Sequence, residues 1–265
     1  MFKLIFSCLI LSVTCAQADQ WHGYQKDILK TADKKGHIVI PKQPAPGRPW
    51  VWRARFPDYH PEVDLILLKR GFHVAYTDVS NLYGSPAAVK QWDQFYQQVT
   101  STYRLAAKVA LECVSRGGLI AHNWAKKNPE KVACIYGEVP VCDIKSWPGG
   151  KGEGKGSPKD WTQAIQAYGT DEAGLMAWDD NPLDNLEPLA KARVPFLHVI
   201  SLTDQIVPPS ENTLRLFNHY TSLGGIMTVH PNLQQPTKAH GHHFPLEDPT
   251  YLADFISRNC LTNSK

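Results

Sequence analysis

The chain has no large excess of charge of either sign: 28 Lys and Arg stand against 25 Asp and Glu, a formal net charge of +3. No Lys/Arg run forms a basic stripe, so the charge pattern asks for no nucleic-acid partner. No repeat of fixed period is visible, which excludes a solenoid or propeller. Beyond the N-terminal residues no apolar run approaches the length of a bilayer-spanning helix. H-E-x-x-H, the helical zinc motif with its own general base, is missing. No cofactor is implied.

What is present is globular. With 265 residues, 43% hydrophobic and 20% charged, the chain can bury a full core as one α/β domain. Lys3, the apolar run Leu4 to Val13 and Ala16-x-Ala18 have the three parts of a secretory signal, so residues 1–18 are expected to be removed and 19–265 to form the domain. A lipoprotein site at Cys15 is the weaker reading, because Val13-Thr14 matches poorly. Cleavage leaves Cys113, Cys134, Cys142 and Cys260. An exported compartment permits disulfides, buried free thiols are equally natural, and the pairing stays open.

Strands are expected at His37 to Gln43, Arg48 to Phe56, Phe72 to Val79, Lys108 to Val114, Lys131 to Val141, Val194 to Ser201 and Ile226 to Pro231. Helical patterns fall between them, at His60 to Gly71, Ser85 to Tyr103, Gly117 to Pro129, Pro209 to Ser222 and Pro249 to Ser257. This alternation implies a mainly parallel sheet with helices on both faces and ligands at the carboxyl ends of the strands. The glycine- and lysine-rich segment Lys145 to Trp161 breaks the rhythm and opens an insertion of about 145–190, read as a mobile lid with two short helical stretches.

The chemistry gathers at three points. Cys113-Val114-Ser115-Arg116-Gly117 follows a buried strand and precedes a helix, so it reads as a G-x-S-x-G elbow with a cysteine in place of the first glycine. In such a turn the hydroxyl of Ser115 is exposed and the N–H of Arg116 points to a developing oxyanion. Asp204 lies in a turn before Ile206-Val207-Pro208, after a strand. His240, His242 and His243 precede the closing helix.

Ser, then acid, then His is the chain order of the triad in α/β-hydrolases. "VSRGG", "SLTDQIVPP" and "HGHHFPLEDP" resemble that superfamily in order and spacing, from about His37 to Asn259. The likeness looks closest to secreted bacterial serine esterases of prolyl-oligopeptidase-like and dienelactone-hydrolase-like type. It implies Ser115 as nucleophile, Asp204 as orienting acid and a histidine of the cluster as base. His242 is preferred because the family's histidine usually follows a glycine, here Gly241; His243 and His240 come next. Glu138, after its strand, occupies an alternative acid position and could otherwise bind substrate.

No HGGG is present for the second oxyanion donor, so a backbone N–H of Trp52 or Arg53 is expected to supply it. The Arg53 guanidinium could reach a substrate carboxylate, or simply sit on an edge strand. Trp147 and Trp161 flank the glycine-rich segment and are expected to contact ligand. A zinc site on the histidine cluster, completed by His37, His73 or His122, competes with the triad, which already explains the cluster. The expected activity is hydrolysis of a small-molecule or polysaccharide ester through an acyl-enzyme. A peptidase or lactonase with the same triad, or a non-catalytic carbohydrate-binding protein on this scaffold, are the alternatives. The oligomeric state is left open.

Overall fold

The structure is a computed structural model; it describes residues 18–31, 34–235 and 237–261. The expected signal, residues 1–18, lies outside the described residues apart from Ala18, as do Cys8 and Cys15. Among the described residues nine strands form one sheet: β1 (Ala18–Trp21), β2 (Tyr24–Thr31), β3 (Lys34–Ile40), β4 (Trp50–Arg53), β5 (His73–Thr77), β6 (Val109–Val114), β7 (Val132–Glu138), β8 (Phe196–Ile200) and β9 (Met227–Pro231). Their order is β1-β2-β3-β5-β4-β6-β7-β8-β9. Pairing is antiparallel from β1 through β3 to β5 and parallel from β5 onward.

Alternation along each strand divides the core into two layers. Trp50, Trp52, Leu111, Cys113, Ile135 and Phe196 face one side. There they meet α2 (Pro86–Tyr103), α3 (Gly117–Lys127), α6 (Glu187–Lys191) and α7 (Thr213–Ser222). Val51, Val74, Ala110, Tyr136 and Leu197 face the other, against α1 (Glu62–Lys69) and α8 (Pro249–Leu261). Trp52 stacks on Trp92 at 3.9 Å and meets Trp124 edge-on at 5.2 Å. Each such side chain contributes about 1.5–3 kcal/mol by burial. Ser85 caps α2 by accepting from the Ala88 N–H, with Pro86 at the first helical position.

The insertion folds as α4 (Pro158–Tyr168), α5 (Glu172–Met176) and α6, one helix more than expected. It is packed, not a loose flap. Trp161, Ala164 and Leu175 form a third apolar cluster with Tyr83, Leu119 and Val141. Ser146 donates to Glu211 at 2.6 Å, and the Glu153 N–H donates to the same carboxylate.

Candidate active site

Ser115 sits one residue past β6 with φ 51°, a left-handed conformation that costs a non-glycine residue strain. Its N–H donates to the Glu138 carbonyl at 2.9 Å, and its carbonyl accepts from Gly118 (3.0 Å) and Val141 (2.9 Å). The turn is crowded. A Cβ on Gly118 would stand 2.5 Å from the Val141 oxygen, so the helix entrance needs glycine there. Cys113 points into the core rather than into the turn, fully buried, and burial pushes its thiol above the ordinary range. Its neighbour in register on β7 is Gly137.

His242 Nε2 lies 2.9 Å from Ser115 Oγ, and its Nδ1 lies 2.6 Å from Asp204 Oδ2. Asp204 is held in turn: its Oδ1 accepts from the N–H groups of Ile206 (2.8 Å) and Val207 (2.9 Å). Gly241, at φ +88°, lets the chain pass so close to Thr203 that an added Cβ would meet the Thr203 oxygen at 2.3 Å. The other two histidines point elsewhere. His243 Nδ1 faces the Tyr59 hydroxyl at 3.1 Å, and exposed His240 lies 3.2 Å from Lys155 Nζ. Burial, then the neighbouring His242, lowers the His243 pKa.

Three expectations are corrected. Trp52 and Arg53 lie inside the β4 ladder between β5 and β6, so their backbone is spent on the sheet. The Ala54 N–H donates to the Glu112 carbonyl at 2.8 Å, which makes Arg55 the first amide beyond the strand. A Cβ on Gly117 would stand 3.4 Å from the Arg55 nitrogen, so that amide borders the elbow.

The Arg53 side chain is neither on an edge nor free for substrate. It is 1% exposed, pairs with Asp64 of α1, lies 3.0 Å from Glu112 and donates to the Phe56 and Tyr59 carbonyls. Period-two alternation explains this. Arg53 ends β4, Glu138 ends β7 and Glu112 lies two residues before the end of β6, all on the face that Val51, Ala110 and Tyr136 share with α1. Trp161 is buried at 7% in the apolar cluster it shares with Ala164, Leu175, Tyr83, Leu119 and Val141, its Nε1 donating to Glu172 at 3.3 Å, so it packs rather than faces a ligand.

Trp147, by contrast, is half-buried beside the elbow. Arg116 lies against its ring (5.8 Å) and that of Tyr83 (5.9 Å), and Arg116 Nη1 pairs with Asp160 at 3.0 Å. Glu138 is 1% exposed and holds His60 Nδ1 at 2.9 Å; it does not touch His242. Sequence reasoning missed Tyr59 and His60, which sit in the polar turn after β4 and carry no motif. Cys113, Cys134, Cys142 and Cys260 are all free thiols. Among the described residues, no three His, Cys, Asp or Glu side chains converge as metal ligands, and no helix is long and apolar enough to cross a membrane.

The sheet order, the helices on both faces and the elbow at a strand's carboxyl end define the α/β-hydrolase fold. Solved structures agree. The chain is similar to a puromycin-hydrolyzing peptidase of Mycobacterium tuberculosis, with TM-score 0.65 and 13% identity over 90% of this chain and 40% of that one. A puromycin hydrolase structure gives TM-score 0.61 at 18% identity, covering 88% and 38%. Pyrococcus horikoshii acylaminoacyl peptidase gives 0.60 at 14%, covering 89% and 40%. The chain thus spans about two fifths of the length of these proteins. No protein-family model matches it, and no curated protein matches it in sequence.

Proposed function

We propose that the chain is a serine hydrolase that cleaves carboxylic esters through an acyl-enzyme, acting on a carbohydrate-linked or other small polar ester. The observation that carries this reading is the continuous line Ser115–His242–Asp204, at 2.9 and 2.6 Å, on a serine with φ 51°. His242 Nε2 takes the Ser115 proton as Oγ attacks the carbonyl, and Asp204 accepts from Nδ1–H and stabilises the imidazolium. The N–H groups of Arg116 and Arg55 meet the oxyanion, helped by the N-terminus of α3. His242 then gives its proton to the leaving alcohol, and water releases the acyl group by the reverse sequence. Trp147 and Arg116 border the acyl side.

Export is part of the proposal; Lys3, the apolar run and Ala16-x-Ala18 support it. A peptidase using the same triad is the second reading, favoured by the names of the similar structures. The test is labelling with a fluorophosphonate and peptide mapping. Modification at Ser115, with Ser115→Ala lowering kcat by roughly 10³-fold or more on an acetate ester, is the expected result. Turnover by the alanine variant at the parent rate would sink the mechanism. Faster cleavage of an aminoacyl arylamide than of the acetate would move the reading to the peptidase.

A further inference from the structure

Beside the loop that carries His242 lies a cavity of about 470 Å³ that the mechanism does not use. Phe244, Pro245, Leu246 and Pro249 give it apolar walls; His60, Glu62 and Lys238 stand among its polar lining. His243 lines it too, its ring centroid 5.0 Å from that of His242. Its position relative to the reaction follows from proton transfer. The departing atom must reach His242 Nε2, so the leaving group lies on the histidine side of Ser115, and the loop that follows His242 walls this cavity.

His60 is the built element. Its backbone is left-handed, φ 48°, a conformation few non-glycine residues adopt. Glu138, 1% exposed, holds its Nδ1 at 2.9 Å, and the Tyr59 ring stacks on it at 4.0 Å. A carboxylate on Nδ1 fixes the tautomer and leaves Nε2 as the acceptor for a ligand. The cavity therefore combines an oriented acceptor, a carboxylate and an ammonium with a predominantly apolar wall. A hydrocarbon alcohol has no use for the polar groups. A ring with one apolar face and several hydroxyls on its edge uses both.

Resting on the serine-hydrolase reading, we propose that this cavity is the leaving-group subsite and takes a polyhydroxylated ring alcohol, one of whose hydroxyls donates to His60 Nε2. The reaction releases that alcohol from its ester, the proton on its oxygen coming from His242. The test holds the acyl group constant and compares methyl 6-O-acetyl-glucopyranoside with ethyl acetate. The parent should favour the glycoside in kcat/KM by on the order of tenfold or more, the worth of one well-made hydrogen bond. His60→Phe and Leu246→Trp should each lower that ratio by about the same factor, chiefly through KM for the glycoside, and His60→Asn should restore part of it. A ratio near unity in the parent, or one that neither His60→Phe nor Leu246→Trp moves, overturns the subsite while fluorophosphonate labelling of Ser115 leaves the reading intact. Absence of both labelling and turnover defeats the reading, and the subsite falls with it.

Discussion

Glu112 offers a test of the buried charge cluster through Glu112→Gln. Its side chain is 2% exposed and meets Arg53 at 3.0 Å. Burial pushes its carboxyl well above the ordinary glutamate value of 4.5; Arg53 pulls the other way, and Asp64 and Glu138 add repulsion. The folded state therefore keeps a proton that the unfolded chain has already released. With fewer protons bound in the unfolded chain, stability falls as pH rises from about 4.5 toward the folded pKa, by up to about 1.4 kcal/mol per pH unit. Glutamine has nearly the same shape, keeps the backbone bond to Ala54 and does not titrate. The stability of Glu112→Gln relative to the parent should then grow with pH at up to that slope. Urea unfolding followed by tryptophan fluorescence at roughly pH 5, 6, 7 and 8 measures it. Taking the difference cancels the titrating groups that do not interact with Glu112. A difference that stays flat across that range refutes the reasoning, because Glu112 would then titrate alike in both states.

Gly241→Ala puts a methyl 2.3 Å from the Thr203 oxygen at φ +88°, so the base loop must shift and carry His242 away from Ser115. A loss of roughly 10²-fold in kcat with circular dichroism unchanged is expected, and activity within a few-fold of the parent would remove His242 as base. His122 and His198 are both fully buried, with ring centroids 5.3 Å apart. Burial lowers His122 to about 4 and His198 well below 6.5. The unfolded chain binds more protons below about 6.5, so stability is lost as pH falls, by up to about 1.4 kcal/mol per unit for each histidine. Replacing His198 by leucine should flatten that acid limb in urea titrations, and an unchanged limb would contradict the assignment.

The parallel strands, and the meeting of Ser115, His242 and Asp204, were legible because each rests on local signals. Buried β-branched runs stop at turns, Ser85-Pro86 opens a helix, and Gly241 precedes its histidine. The β1–β2 hairpin was not legible: of Tyr24 to Lys30 only Tyr24 and Leu29 are buried, too few for a period to stand out. Arg53 misled for a different reason. A charged residue ending a strand reads as surface until the partners on α1 and β6 are known, and Asp64 and Glu112 are far from it in sequence. Trp161 misled because flanking a glycine-rich stretch says nothing about whether the indole turns outward. The role of Arg55 depends on where the β4 ladder stops, which only the pairing decides.

Glu138 ties these parts together. Its backbone carbonyl holds the Ser115 N–H at 2.9 Å, while its carboxylate holds His60 at 2.9 Å and accepts from the Tyr136 hydroxyl at 3.4 Å. One strand end thus fixes the Ser115 turn and the histidine of the neighbouring cavity in a single frame. Behind it, Arg53 braces Asp64 and Glu112 and, through the Tyr59 carbonyl, the loop that carries His60. For stability alone this is an expensive arrangement, since apolar side chains of equal volume commonly pack as well or better than buried ion pairs. The charges gather where β4, β6 and β7 end beside Ser115. That placement serves orientation: Arg53 and Glu138 hold the Phe56 and Tyr59 carbonyls and His60 in register with Ser115.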